Sequence, residues 1–142
     1  MYLQKAFDRV WHHGLLHKLA SIGLSCHRFT WLRSYLLNNR IVVRVGEALS
    51  ELHCLSAGVP QGSHLGPILF TVFINDLPQA VCVPTELYAD GALLHLHGVK
   101  LNSAVVTTIQ GVIDNAAEWA ASWHGSFSHS KTKIVAVPQT AK

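Results

Sequence analysis

The sequence has 142 residues, 49% of them hydrophobic and only 13% charged, with a formal net charge of +3. That length makes one domain or a piece of a larger one, the apolar content excludes a disordered chain, and so few charges imply that part of the outside is covered. The mild excess of base permits a nucleic-acid partner without demanding one, and no block of basic residues occurs. Met1 to Phe7 is short and apolar and predicts a strand ending at Asp8. Val10, Leu15, Leu16, Leu19 and Ile22 then fall at helical spacing, with Gly23 as a fitting stop. Phe29, Leu32 and Leu36 predict a second helix ending at Asn38-Asn39. The β-branched run Ile41 to Val45 reads as a strand that turns at Gly46, with Glu51 to Leu55 returning beside it.

A loop follows from Ser56 to Gln61, rich in glycine and proline. Pro67 suits a first helical position, and Ile68, Leu69, Val72, Phe73 and Leu77 form an apolar stripe that Pro78 is expected to end. Leu87 to Leu94 holds two apolar runs around Asp90-Gly91, a dipeptide typical of tight hairpin turns. A long amphipathic helix is predicted from Leu101 to Trp123, with Val105, Ile109, Val112, Ile113, Ala116, Ala120 and Trp123 on one face. Lys133 to Val137 reads as a closing strand. The order predicts an α+β fold, an antiparallel sheet backed by helices.

The chemistry begins with what is absent. Cys26, Cys54 and Cys82 are odd in number and widely spaced, which fits a reducing, intracellular compartment and supplies neither a disulfide framework nor a zinc knuckle. No leader precedes the patterned sequence at Met1, and no apolar run approaches the ~18 residues of a membrane span. His13 and His17 stand four apart without the glutamate of a metalloprotease helix, and His95 and His97 alternate with no carboxylate or thiol nearby in sequence. They read as surface or partly buried histidines. No Gly-x-Ser-x-Gly elbow supports a Ser-His-Asp triad.

Two stretches remain. Asp90 would stand near the tip of a stiff hairpin, as a metal ligand or as a plain turn residue bonding its own backbone. The loop Ser56-Ala57-Gly58-Val59-Pro60-Gln61-Gly62-Ser63-His64-Leu65-Gly66-Pro67 could bring backbone close to a ligand, or could be an ordinary connection.

That loop resembles motif B of reverse transcriptases, in the form found in non-LTR retrotransposons, and the resemblance extends over nearly the whole chain. Lys5-Ala6-Phe7-Asp8-Arg9-Val10-Trp11-His12 resembles the end of motif A, and Phe73-Ile74-Asn75-Asp76-Leu77-Pro78 continues motif B. Tyr88-Ala89-Asp90-Gly91 stands at the Tyr-x-Asp-Asp box of motif C, and Trp123 with Lys131-Thr132-Lys133 resembles motif D. The resemblance implies a polymerase palm and RNA-directed DNA synthesis with RNA template, DNA primer and dNTP. It also implies two Mg²⁺ or Mn²⁺ ions on carboxylate oxygens. Phe7 matches the residue under the incoming sugar, Gln61 and Gly62 positions near the nascent base pair and template, Tyr88 one near the primer end, and Lys131 one near the departing pyrophosphate. Residues 1–142 would be a partial domain, with fingers and thumb largely absent.

The match breaks at the metal ligands. The motif A ligand falls at Tyr2, whose phenol is neutral at pH 7, and the second aspartate of motif C falls at Gly91. Asp90 alone keeps its family role as catalytic metal ligand, while Asp8 follows the catalytic position. Nucleotidyl transfer is therefore expected to be lost. The alternatives are a nucleic-acid-binding remnant without catalysis and a decayed element with no function.

Overall fold

The computed structural model describes residues 1–96 and 103–137. Its first helix, α1 (His12–Ser21), follows from the expected spacing: Val10, Leu15, Leu16 and Leu19 are buried. Gly23, at φ +76°, ends it in the left-handed region open to glycine, and Ile22 is exposed rather than on the buried face. The second helix, α2 (Cys26–Leu36), buries Leu36 and half-buries Phe29 and Leu32. Asn39 Nδ2 donates to the terminal carbonyls of Tyr35 (2.7 Å) and Leu36 (3.2 Å), which have no helical partner beyond the last turn.

The expected strand Ile41–Val45 is broken into β1 (Arg40–Ile41) and β2 (Arg44–Val45). They pair with β4 (His53–Cys54) and β3 (Ala48–Leu49) respectively, so the returning partner lies within the expected Glu51–Leu55. Every residue from Arg40 to Cys54 is exposed. Apolar residues there have no opposing layer, and without one a β-branched run keeps only local pairing.

Helix α3 (Leu65–Ile74) is the apolar centre, burying Leu69, Phe70, Phe73 and Ile74. Ile68, expected on the same stripe, is exposed. Pro67 is the third helical residue, and Pro78 does not stop this helix. It opens α4 (Leu77–Val81) instead, in the first turn, where a missing N–H costs no hydrogen bond. The predicted hairpin is present as β5 (Thr85–Tyr88) and β6 (Gly91–Leu94), with Tyr88 opposite Gly91. The long helix α5 (Ser103–Ser122) buries Val105, Ala116, Trp119 and Ala120. Leu101 and His97 lie outside the described residues. No helix among the described residues is long and apolar enough to cross a membrane.

The expected single sheet is instead three two-stranded antiparallel pairs, with separate isolated bridges at Tyr2–Gly91, Leu3–Phe127 and Trp11–Ala57. The expected strand Met1–Phe7 is reduced to Tyr2 and Leu3, because Lys5 (φ +48°) turns the chain. These two residues are central nonetheless. Leu3 N donates to Asp90 O (2.9 Å) and Ala92 N to Met1 O (2.8 Å) on one side; Ser128 N donates to Tyr2 O (2.7 Å) and Gln4 N to Ser126 O (2.9 Å) on the other. Lys133–Val137, expected as the closing strand, is exposed and pairs with no strand among the described residues.

One polar cluster ties the helices together, and no local pattern announces it. Lys18 is buried with Nζ 2.5 Å from Asp76 Oδ1 and donating to Phe73 O (2.6 Å). The same carboxylate oxygen accepts from Trp119 Nε1 (3.0 Å). The ammonium lies 3.7 Å from the Trp123 ring centre and about 5 Å from those of Phe73 and Trp119. Burial pulls Lys18 below the usual lysine pKa, and Asp76 offsets part of that shift.

Candidate functional site

The segment after Leu3 and the glycine-rich loop are bonded backbone to backbone. Val59 N donates to Phe7 O (2.8 Å), Gly58 N to Val10 O (2.8 Å), and the buried His12 donates Nε2–H to Gly58 O (2.7 Å). Gly58 has φ +95°, and a Cβ there would sit 2.9 Å from Asp8 O. Gly58→Ala is therefore expected to cost about 1–3 kcal/mol through strain and backbone clash together. A urea midpoint unchanged from the parent chain would contradict this.

With the two segments so joined, Gln61 Nε2 donates to Asp8 Oδ1 (2.7 Å), and the Phe7 ring stacks on Phe70 at 4.7 Å between centroids. Phe7 thus has one ring neighbour in the core, yet it also lines two adjoining hollows. The first, about 590 Å³, is bounded by Phe7, Pro60, Gln61, Gly62, His64 and Pro67. The second, about 450 Å³, holds Phe7, Gln61, Lys5, Asp90, Ser128 and Lys131 in its wall. Of the residues singled out in the sequence, Phe7, Gln61, Asp90 and Lys131 therefore meet in one cavity, with Gly62 next door. Tyr88 does not join them. It is 88% exposed on the hairpin.

The turn itself is shifted by one residue from the expected Asp90-Gly91. Its loop residues are Ala89, at φ +49°, and Asp90, while Gly91 already belongs to β6. Gly91 is thus not required for the turn. Its contact is lateral: Tyr2 and Gly91 form an antiparallel bridge. A Cβ on Gly91 would lie 3.3 Å from Tyr2 Cε1 and 3.2 Å from Tyr88 O. The tyrosine ring is thus in tight contact with the place where a side chain at 91 would begin.

The donor set does not fit a pair of divalent cations. Asp90 is the single carboxylate in the wall of its cavity, and Lys5 and Lys131 line the same wall. Among the described residues, no three His, Cys, Asp or Glu side chains converge as a metal cluster. Hard divalent ions need several anionic oxygens at once, and a cavity whose fixed charge is net positive opposes them. Lys5, Gln4 and Ser128 are polar cavity residues that sequence reasoning missed; the positive φ of Lys5 has no signature in residue type.

The family model for reverse transcriptase (RNA-dependent DNA polymerase) matches residues 1–142. The chain is 34% identical over 137 residues to the RNA-directed DNA polymerase from mobile element jockey of Drosophila funebris, covering 91% of this chain and 15% of that protein. It is 34% identical over 130 residues to the jockey polymerase of Drosophila melanogaster, covering 86% of this chain and 14% of that protein. A "Probable RNA-directed DNA polymerase from transposon X-element" of Drosophila melanogaster is 34% identical over 140 residues, 94% of this chain and 15% of its own length. The chain thus spans about 15% of the length of the curated relatives it matches. With a family match over every residue, the chain belongs to the reverse transcriptase (RNA-dependent DNA polymerase) family.

Proposed function

We propose that this chain is the palm portion of a non-LTR-type reverse transcriptase that engages nucleic acid but transfers no nucleotide. The family reaction joins a dNTP to a DNA primer on an RNA template, with two Mg²⁺ or Mn²⁺ ions supplying the charge neutralisation. The observation that carries the reading is the cavity shared by Phe7, Gln61, Asp90 and Lys131, whose wall holds one carboxylate and two lysines. The nucleotide-facing side chains are retained there. Phe7 and Gln61 are the sugar- and base-pair-side residues, with Gly62 beside them, Lys131 lies at the polyphosphate side, and the exposed Tyr88 lies at the primer side. The ligands for paired cations are not retained, since Tyr2 and Gly91 occupy their positions. Losing one member of such a clamp removes roughly a thousandfold in rate, and two are missing.

Primer extension on an RNA template with Mg²⁺ or Mn²⁺ tests this. No product is expected from the unaltered chain. Product that disappears in Asp90→Ala would overturn the proposal.

A further inference from the structure

A separate cavity of about 630 Å³ shares no lining residue with the two hollows around Phe7. Its wall carries Arg9, Arg40, His13, His124 and Trp11, and it contains neither aspartate nor glutamate. In a chain with 11 basic and 8 acidic residues, such a wall is a local excess of positive charge, not the average surface. Among the described residues no carboxylate pairs with either arginine. Arg9 spends one N–H of its fork on Ser126 Oγ (3.0 Å), which fixes the guanidinium and leaves its other donors available. His124 is held at the wall by an edge contact with Trp11, 4.4 Å between ring centres.

A second feature adds to the arginines. Helix α1 begins within this wall, at His12, with no side-chain cap and no acidic residue in its first turn. Its first amides have no helical acceptor, and the helix dipole adds partial positive charge at the same place. Two guanidinium groups with no carboxylate partner, beside a helix start with no side-chain cap, are suited to a tetrahedral oxyanion with several acceptor oxygens.

We propose that this cavity is a phosphate-binding site that grips the backbone of a nucleic-acid strand independently of the Asp90 cavity. The phosphate chemistry rests on the cavity's own charge; naming a strand as its source rests on the function proposed above.

The test is the salt dependence of binding of a labelled single-stranded oligonucleotide to the full chain, with no divalent ion present. Each phosphate neutralised on a single strand contributes about 0.7 to the logarithmic salt slope. Arg9→Gln/Arg40→Gln is expected to flatten the slope by roughly 1.4 and to weaken binding about tenfold at low salt. Arg40→Gln alone, at an exposed side chain, is expected to flatten it by about 0.7, which keeps the test valid should the Arg9 change disturb Ser126. Arg28→Gln/Arg33→Gln removes the same charge from the exposed side of α2 and is expected to leave the slope nearly unchanged. Equal slopes in the parent chain and both pocket variants would overturn the proposal, as would an equal loss in the α2 pair. Inorganic phosphate is the second probe: saturable binding of that ion without oligonucleotide binding would assign the site to a free anion and overturn the strand. Because no extension is measured, a catalytically active chain would defeat the function proposed above without altering these slopes.

Discussion

Replacing Asp76 with alanine is expected to remove about 3 kcal/mol of folding stability, a large share of what a domain of this size holds. The loss comes from the partner left behind. Lys18 would keep its ammonium among Phe73, Trp119 and Trp123 with one carbonyl as acceptor, and Trp119 would lose the acceptor of its indole N–H. Asp76 itself is 39% exposed, so water reaching the vacated side holds the cost near the lower end for a broken buried pair. Lys18→Met removes the charge and keeps the volume, and is expected to change stability by less than about 1.5 kcal/mol. The two variants also differ in pH response. Lys18 titrates below its usual value when folded, while the unfolded chain keeps the proton to near 10.5. Between those two values the unfolded state binds more protons, so this residue's contribution rises as pH rises through that window. Urea unfolding of the parent chain and Lys18→Met, from neutral pH upward, should therefore shift in favour of the parent. Equal losses in Asp76→Ala and Lys18→Met would show that the cluster acts by packing alone.

Placing carboxylates at positions 2 and 91 is expected to create a manganese response absent from the parent chain. Gly91→Asp alone crowds the Tyr88 carbonyl and the Tyr2 ring, which must give by a few tenths of an ångström, and overpacking of this kind costs on the order of 1 kcal/mol. Tyr2→Asp alone removes the ring from its place beside Gly91. Because each change relieves the other, Tyr2→Asp/Gly91→Asp is expected to cost less than the sum of the two, the signature of sites in contact. Without metal, carboxylates at 2, 90 and 91 repel one another. Mn²⁺ at a hundredfold above its dissociation constant should then stabilise the double variant by about 2.7 kcal/mol, read as a rise in thermal midpoint. The parent chain is expected to show no rise. A midpoint that climbs in the parent chain and falls back in Asp90→Ala would mean that Asp90 seats the ion with help from groups other than these.

Local patterning disclosed the helices and the hairpin because apolar periodicity and turn residues act over a few positions, as with Leu15, Leu16 and Leu19 in α1. It was less informative wherever a distant partner decides. The run Ile41–Val45 has strong strand character but no layer to cover it, so only two-residue pairs form. Met1–Phe7 is cut short by a left-handed Lys5, a conformation that its residue type does not announce. At the candidate site, Phe7, Gln61, Asp90 and Lys131 were legible through the resemblance to reverse transcriptases, and they do line one cavity. The presence of Lys5 in the same wall as Asp90 was not, nor was the seating of Tyr2 against Gly91. Both are produced by chain crossings between segments far apart in sequence.

The bridge between Leu3 and Phe127 brings together segments separated by nearly the whole chain. Closing that loop has an entropic cost that local helices do not share, and high contact order slows folding. The helices and the β5–β6 ribbon can form as the polypeptide leaves the ribosome, but the pairing of residues 1–4 with 126–128 must wait until the last of these has emerged. The Asp90 cavity, which both Leu3 and Ser128 line, accordingly cannot close before that C-terminal segment has been made.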